Sequence, residues 1–458
     1  MKPVYRKVRI LRRSRAVWRS PRLWKTRLVF WCGALAIGVL SVVFARLADT
    51  AQHLFHVWTD RDTGHVWLPL VLTPLGFAFC AWASMRFFPG TNGSGIPQAI
   101  AARELTQDED RERLLSLRII FGKMGLTILG LLCGASIGRE GPTVQIGAST
   151  MLCAARFGGL DMERHEDQAR ALILAGSAAG IAAAFNTPLA GIVFAIEEMG
   201  RSYAARANGL VLSAVILSGL AALALVGNYT YFGVVPMAVE GAEWYRTLGM
   251  TLVCGVAGGM FGAIFSALAL DLGARIRRFV QPAPLRRTLG LAGICGLAVA
   301  GTGVLTGQPV FGTGYEQARD AMYGAPNDPL FFIWKLVAIL ASMISGIPGG
   351  IFAPSLAVGA GLGGTIGDIA GSHAGIAVIV GMAGYFAGVT QAPMTAFVII
   401  LEMTGAYEHV IPLMAASVLG YGTARFGSNR TLYHALARTV LADVLRARRA
   451  KEKAEPAG

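Results

Sequence analysis

"GASIGREGPTVQIGA", residues 134–148, and "GIPGGIFAPSLAVGA", residues 346–360, align without a gap, with Gly134 against Gly346, Gly138 against Gly350, Pro142 against Pro354 and Gly147 against Gly359. Two flanking segments repeat in the same order. "GSGIPQA" (93–99) matches "GTGYEQA" (312–318), and "AGSAAGIAAAFNTPLAGIVFAIEEM" (175–199) runs alongside "VGMAGYFAGVTQAPMTAFVIILEMT" (380–404), with Pro188 opposite Pro393 and Glu197 opposite Glu402. The offsets fall steadily, from 219 to 212 to 205, as duplication followed by small deletions would leave them. Two halves are expected, about residues 28–225 and 245–438. Many membrane transporters are built from two such halves, and Gly/Pro-interrupted apolar segments in corresponding positions point to the binding site. The repeat alone leaves open whether the halves run parallel or inverted.

Composition places those halves in a membrane. Of 458 residues, 54% are hydrophobic and 15% charged, against roughly 25% charged in soluble domains. Apolar stretches long enough to cross about 30 Å of hydrocarbon recur at Leu28–Ala45, Trp67–Met85, Ala171–Ile196, Leu210–Val239, Thr247–Leu270, Leu289–Phe311 and Gly375–Leu401. An all-helical integral membrane protein is predicted. The 58 glycines predict close helix packing and interrupted helices. The net charge of +14 sits at the ends: residues 1–27 carry eleven Lys or Arg and no acid, and a second basic cluster follows Arg438. That distribution reads as topology and attraction to lipid headgroups, with both ends cytoplasmic, and not as nucleic-acid binding. The first span, beginning so far from Met1, is expected to be a retained anchor and not a cleaved signal.

Six cysteines lie singly in apolar stretches without CxxC spacing, and the seven histidines are dispersed; His165 in "MERHEDQ" lacks a second histidine. No metal or other cofactor is expected. "GASIG" formally fits the nucleophile elbow of a hydrolase around Ser136, but that motif needs a strand-to-helix turn and a histidine partner. The matched apolar cores contain no histidine, so the chain is not read as an enzyme.

The first half carries Arg139-Glu140 where the second carries Ile351-Phe352, and an ionised group at membrane depth is costly enough to be a functional hypothesis by default. "GREGP" and "GGIFAP" both read as helix starts, because Pro in a first turn loses nothing by lacking an N–H. A helix beginning inside the membrane presents unpaired N–H groups and about half a positive charge. Several such ends aimed at one point would bind an anion weakly enough to release it. "GSGIP" is a third candidate, with Ser94 as hydroxyl donor. In such a site Glu140 could occupy the anion's place itself and leave on protonation, while Arg139 reads as a structural partner. Glu197, matched by Glu402, reads as architectural. Glu198 is the unmatched acid, placed to pass protons from water toward Glu140.

Together "GSGIP", "GREGP", "GGIFAP", the Glu-Glu after "FNTPLAGIVFAI" and the late Tyr of "LYHALART" resemble the CLC family of chloride channels and chloride/proton exchangers, over about Leu28 to Arg438. The resemblance implies an inverted repeat of about eighteen tilted and partly spanning helices, in a homodimer with one pathway per subunit. It implies Ser94 and Tyr433 as hydroxyl donors to chloride, the backbone N–H groups of Ile351 and Phe352 as the rest of the site, Glu140 as gate and Glu198 as internal proton relay. Both acids favour a chloride/proton antiporter; a passive chloride channel is the alternative. Ser94 favours chloride over nitrate, since nitrate-preferring plant relatives have Pro there, and the "GSGIP" and "GREGP" forms differ from those of the fluoride-exporting branch. Ile347, where a smaller residue is common, and Gly405, where some relatives have an acid, depart from the pattern without touching a ligand. The expected organisation is a basic cytoplasmic segment 1–27, a transmembrane unit 28–438 and a basic cytoplasmic tail 439–458. With so little chain after Tyr433, paired regulatory domains are expected to be absent, and a bacterial inner-membrane location follows.

Overall fold

The computed structural model describes residues 21–454 apart from 61–63, 161, 163–164, 201–206, 228, 235–243, 308, 327, 372–373 and 429; the basic residues 1–20 and the tail beyond 454 lie outside the described residues. Lipid offers no hydrogen bonds, so a spanning chain must satisfy its backbone internally, and among the described residues regular structure is helical apart from two isolated backbone bridges. The first half comprises α1 (Pro21–Thr59), α2 (Pro69–Phe87), α3 (Ile96–Glu104), α4 (Asp108–Leu114), α5 (Leu117–Leu132), α6 (Glu140–Phe157), α7 (Glu166–Phe185), α8 (Pro188–Phe194) with a π-helical turn over Ala195–Met199, and α9 (Ala207–Val226). The second comprises α10 (Trp244–Val280), α11 (Pro284–Thr306), α12 (Tyr315–Met322), α13 (Phe331–Ile344), α14 (Phe352–Ala370), α15 (Ala374–Thr390), α16 (Pro393–Thr404), α17 (Val410–Gly427) and α18 (Leu432–Ala454).

Two antiparallel contacts between equivalent residues show how the halves are related. Gly138 and Gly350, partners in the repeat, exchange backbone hydrogen bonds of 2.6 and 2.7 Å in an antiparallel bridge. Glu197 accepts from the N–H groups of Met394 and Thr395 at the start of α16, and Glu402 accepts from those of Leu189 and Ala190 at the start of α8. Each acid caps the other half's helix, so α8 and α16 run antiparallel. Such reciprocity is the signature of a two-fold axis, and here it makes the repeat inverted.

Seven helical segments are long and apolar enough to cross a membrane among the described residues, but they differ from the stretches read in the sequence. Ala171–Ile196 is two helices, broken where Asn186 takes a left-handed conformation (φ 56°), and Gly375–Leu401 is likewise broken at Gln391 (φ 57°). The breaks are repeat equivalents, each followed by the proline that begins the next helix. Leu210–Val239 ends as a helix at Val226, and residues 235–239 are outside the described part. Segment 117–132 escaped the hydropathy reading because Lys123 interrupts it. Lys123 is buried and donates to the carbonyls of Thr91 and Gly93 at 2.7 and 2.5 Å. Helix α10, with 37 residues, is about 55 Å long at 1.5 Å per residue, so it tilts or protrudes.

The lipid-facing and inward surfaces separate along α1, where Leu28, Trp31, Leu35, Val39, Val43 and Leu47 are exposed while Ala34, Ile37 and Phe44 are buried, a helical spacing. Inside, helices cross with their backbones almost touching. A Cβ on Gly147 of α6 would lie 2.3 Å from the carbonyl oxygen of Gly176 on α7, and the equivalent Gly359 of α14 meets Gly381 of α15 at 2.8 Å. Small residues allow that approach in membranes, and it explains much of the glycine content.

Candidate functional site

The loops before three helices meet at the centre. Gly93, ahead of α3, accepts from Gly349 N–H and donates to Ile347 carbonyl, while Gly138, ahead of α6, is paired with Gly350, ahead of α14. These exchanges bring the N-termini of α3, α6 and α14 together, each contributing about half a positive charge. Gly141 makes the approach possible, since a Cβ there would stand 2.5 Å from Ser94 Oγ and 3.2 Å from the Cα of Gly350. The helix starts read from "GSGIP", "GREGP" and "GGIFAP" are thus where the structure has them.

Ser94 ends the loop before α3, Ile351 caps α14 and Phe352 is its first residue. Tyr433, near the start of α18, brings its hydroxyl into the neighbourhood of that of Ser94. Both hydroxyls are buried and, among the described residues, neither has a partner in hydrogen-bond geometry. The Phe352 ring packs against Phe386 and Phe185, with centroids 4.2 and 5.4 Å away. Glu140 is completely buried. Its carboxylate lies beside the start of α14, where Oε2 and the Ala353 N–H both border Gly138, and neither oxygen has a hydrogen-bond partner among the described residues. The acid therefore lies at the first turn of α14, the opposite half's helix, next to two unsatisfied hydroxyls. Buried polar atoms are normally paired, so a cluster of four such oxygens, framed by three helix ends, is suited to a small anion that can be exchanged.

Arg139 takes the structural part expected of it. It donates to the carbonyl of Ala45 at 2.8 Å and pairs with Asp49 of α1, whose side chain is 64% exposed, while its Nε stays 4.0 Å from Glu140. Glu198 sits in the π-helical turn after α8, an element frequent at functional sites, and is within electrostatic reach of Tyr433. The structure thus brings Ser94, Glu140, Ile351, Phe352 and Tyr433 to one centre and places Glu198 behind Tyr433, beside a cleft of about 350 Å³ lined by Ile100, Arg103, Glu104, Arg170, Met199, His434 and Arg438. The cleft opens on the side where α1 begins. Val29 of α1 meets Gly158 after α6, and Arg448 of α18 reaches Asp110 of α4. Glu140 lies at the far end of α6, 18 residues or about 27 Å away. Ser136 occupies a turn between two helices, so the strand-to-helix elbow of a hydrolase is not formed.

The sequence reading missed three contributors. Lys335 is buried and donates to the carbonyls of Val310, Phe311 and Gly312, as Lys123 does at the equivalent loop. Their separation of 212, the offset of the central repeat, was the available signal. His434, adjacent to Tyr433, lies with Nδ1 3.6 Å from Glu198 Oε1. Nothing in its spacing marked it, because the contact crosses from α18 to the π turn.

Residues 76–425 match the family model described as voltage gated chloride channel. The chain is 32% identical over 406 residues to the H(+)/Cl(-) exchange transporter ClcA of Vibrio cholerae serotype O1, covering 84% of each chain. It is 31% identical over 484 aligned positions to the protein of the same name from Salmonella arizonae, covering 98% of this chain and 96% of the other. Among solved structures, a slow cyanobacterial Cl−/H+ antiporter superposes with a TM-score of 0.79 at 23% identity, over 91% of this chain and 98% of that one.

Proposed function

The chain belongs to the voltage gated chloride channel family, and from that premise we propose that it is a chloride/proton antiporter. The observation that carries the reading is the buried carboxylate of Glu140 at the N-terminus of α14, next to the unpaired hydroxyls of Ser94 and Tyr433. Chloride binds between those hydroxyls and the N–H groups of Ile351 and Phe352. Ionised Glu140 competes with chloride for the positive helix end. Protonation removes its charge, frees it from the site and admits the anion. Glu198 exchanges protons with the cleft side and hands them to Glu140. The transport unit is residues 28–438, in a homodimer of the bacterial inner membrane, with the basic segments 1–27 and 439–458 in the cytoplasm by the positive-inside rule.

Purified protein in liposomes given only a chloride gradient should move protons uphill, recorded with a chloride electrode and a pH electrode together. Chloride flux without proton movement would instead identify a passive chloride channel. Sulfate and phosphate should be poor substrates, because hydroxyls and helix ends match a small monovalent ion.

The combined substitution Ser94→Ala and Tyr433→Ala should weaken chloride binding, since each hydroxyl is worth about 0.5–1.5 kcal/mol, or up to ~3 to a charged acceptor. Calorimetric affinity should fall at least about fivefold. Unchanged affinity would remove both residues from the site.

A further inference from the structure

We propose that His434 is the residue that loads Glu198 with protons from the cleft, an inference that rests on the exchanger reading. His434 stands between the two. Its Nδ1 is buried and 3.6 Å from Glu198 Oε1, while the side chain as a whole keeps 15% exposure and lines the cleft. The wet part of the ring therefore lies away from Nδ1, and imidazole is the one side chain that can take a proton on one nitrogen and release one from the other. The gap exceeds a hydrogen bond by less than about 1 Å, within a small rotation of either side chain.

The other polar side chains among the described residues of the cleft are arginines and one glutamate. Arg103, from the end of α3, donates to the carbonyl of Met199, and Arg170 of α7 pairs with Glu166. Arg438 lies one turn along α18 from His434, and Glu104 follows Arg103 on the cleft wall. Guanidinium groups do not give up protons, which leaves Glu104 and His434 among the described cleft-lining groups, and it is His434 that stands 3.6 Å from Glu198. In the step, water in the cleft gives a proton to Nε2, and the imidazolium then gives the Nδ1 proton to Glu198 Oε1. The ring is left neutral with its proton on Nε2, and rotation of the ring, which turns that nitrogen toward Glu198, readies it for the next proton from the cleft.

The test uses full-length protein in liposomes with chloride efflux read by electrode, after the wild type has been shown to drive protons uphill with a chloride gradient. A wild type that fails this would sink the exchanger reading itself, separately from the role of His434. His434→Ala should slow coupled exchange about a hundredfold or more, the scale of a lost proton-transfer group. Free imidazole should restore much of the rate in the Ala variant and leave wild type unchanged. His434→Gln, which keeps a polar side chain of similar reach but cannot relay, should be as slow as Ala and gain nothing in reach of the rate. Wild-type turnover in His434→Ala, recovery through Gln, or an Ala variant indifferent to imidazole would each overturn the proposal.

Discussion

Glu140→Gln should pass chloride at a rate that ignores pH and should carry no protons. The carboxamide copies the protonated acid in shape and charge, so it imitates the state in which the anion has won the contest for the start of α14. An ionised carboxylate near a helix N-terminus is held by up to ~2 kcal/mol in a buried setting. Losing that competitor should raise alkaline chloride flux by about tenfold or more relative to wild type. Proton uptake driven by a chloride gradient should vanish completely, since no titratable group remains at the crossing point. Simultaneous chloride and pH recordings across a range of pH decide the matter. Retained coupling, or a retained pH profile, would reduce Glu140 to a buried side chain held near Arg139.

The second large effect separates neighbouring acids. Glu198→Gln should stop proton transport while chloride still moves and flux still answers to pH on the Glu140 side, because Glu198 lies behind Tyr433 and its loss leaves the helix ends untouched. Glu197→Ala should do the reverse. Glu197 holds the first N–H groups of α16, so its removal should cost about 1 kcal/mol, the usual scale of a lost cap. That loss should appear as a lower thermal midpoint in detergent with the exchange ratio intact. Full coupling in Glu198→Gln would refute the relay, and a changed exchange ratio in Glu197→Ala would refute the division of labour.

The repeat could be read because it was written in glycines and prolines, whose backbone consequences are local. Pro142, Pro354, Pro188 and Pro393 all mark helix starts, and the match with Glu402 marked Glu197 as architectural, a part the two caps give it. The segment around Lys123 was hidden by its charge, since a hydropathy scan cannot know that the ammonium is spent on two carbonyls. The breaks at Asn186 and Gln391 were hidden too, because a non-glycine residue at positive φ leaves no compositional trace. In the candidate site, the helix starts set by chain-local motifs were legible. The approach of His434 to Glu198, made by elements far apart in sequence, was not.

The seam between Gly138 and Gly350 limits what may move. Two short backbone hydrogen bonds join the halves at their common axis, on residues adjacent to the helix starts. A see-saw in which one half tips against the other would have to tear that stitch in every cycle and expose four backbone groups to a dry interior. With Glu140 as the proposed gate, the frame can stand still and the travelling part shrinks to a few atoms at the end of a side chain. Symmetry of the frame then has a further result: two halves related by a two-fold axis have no front or back, and unmatched residues such as Arg139-Glu140, opposite Ile351-Phe352, give the molecule a direction.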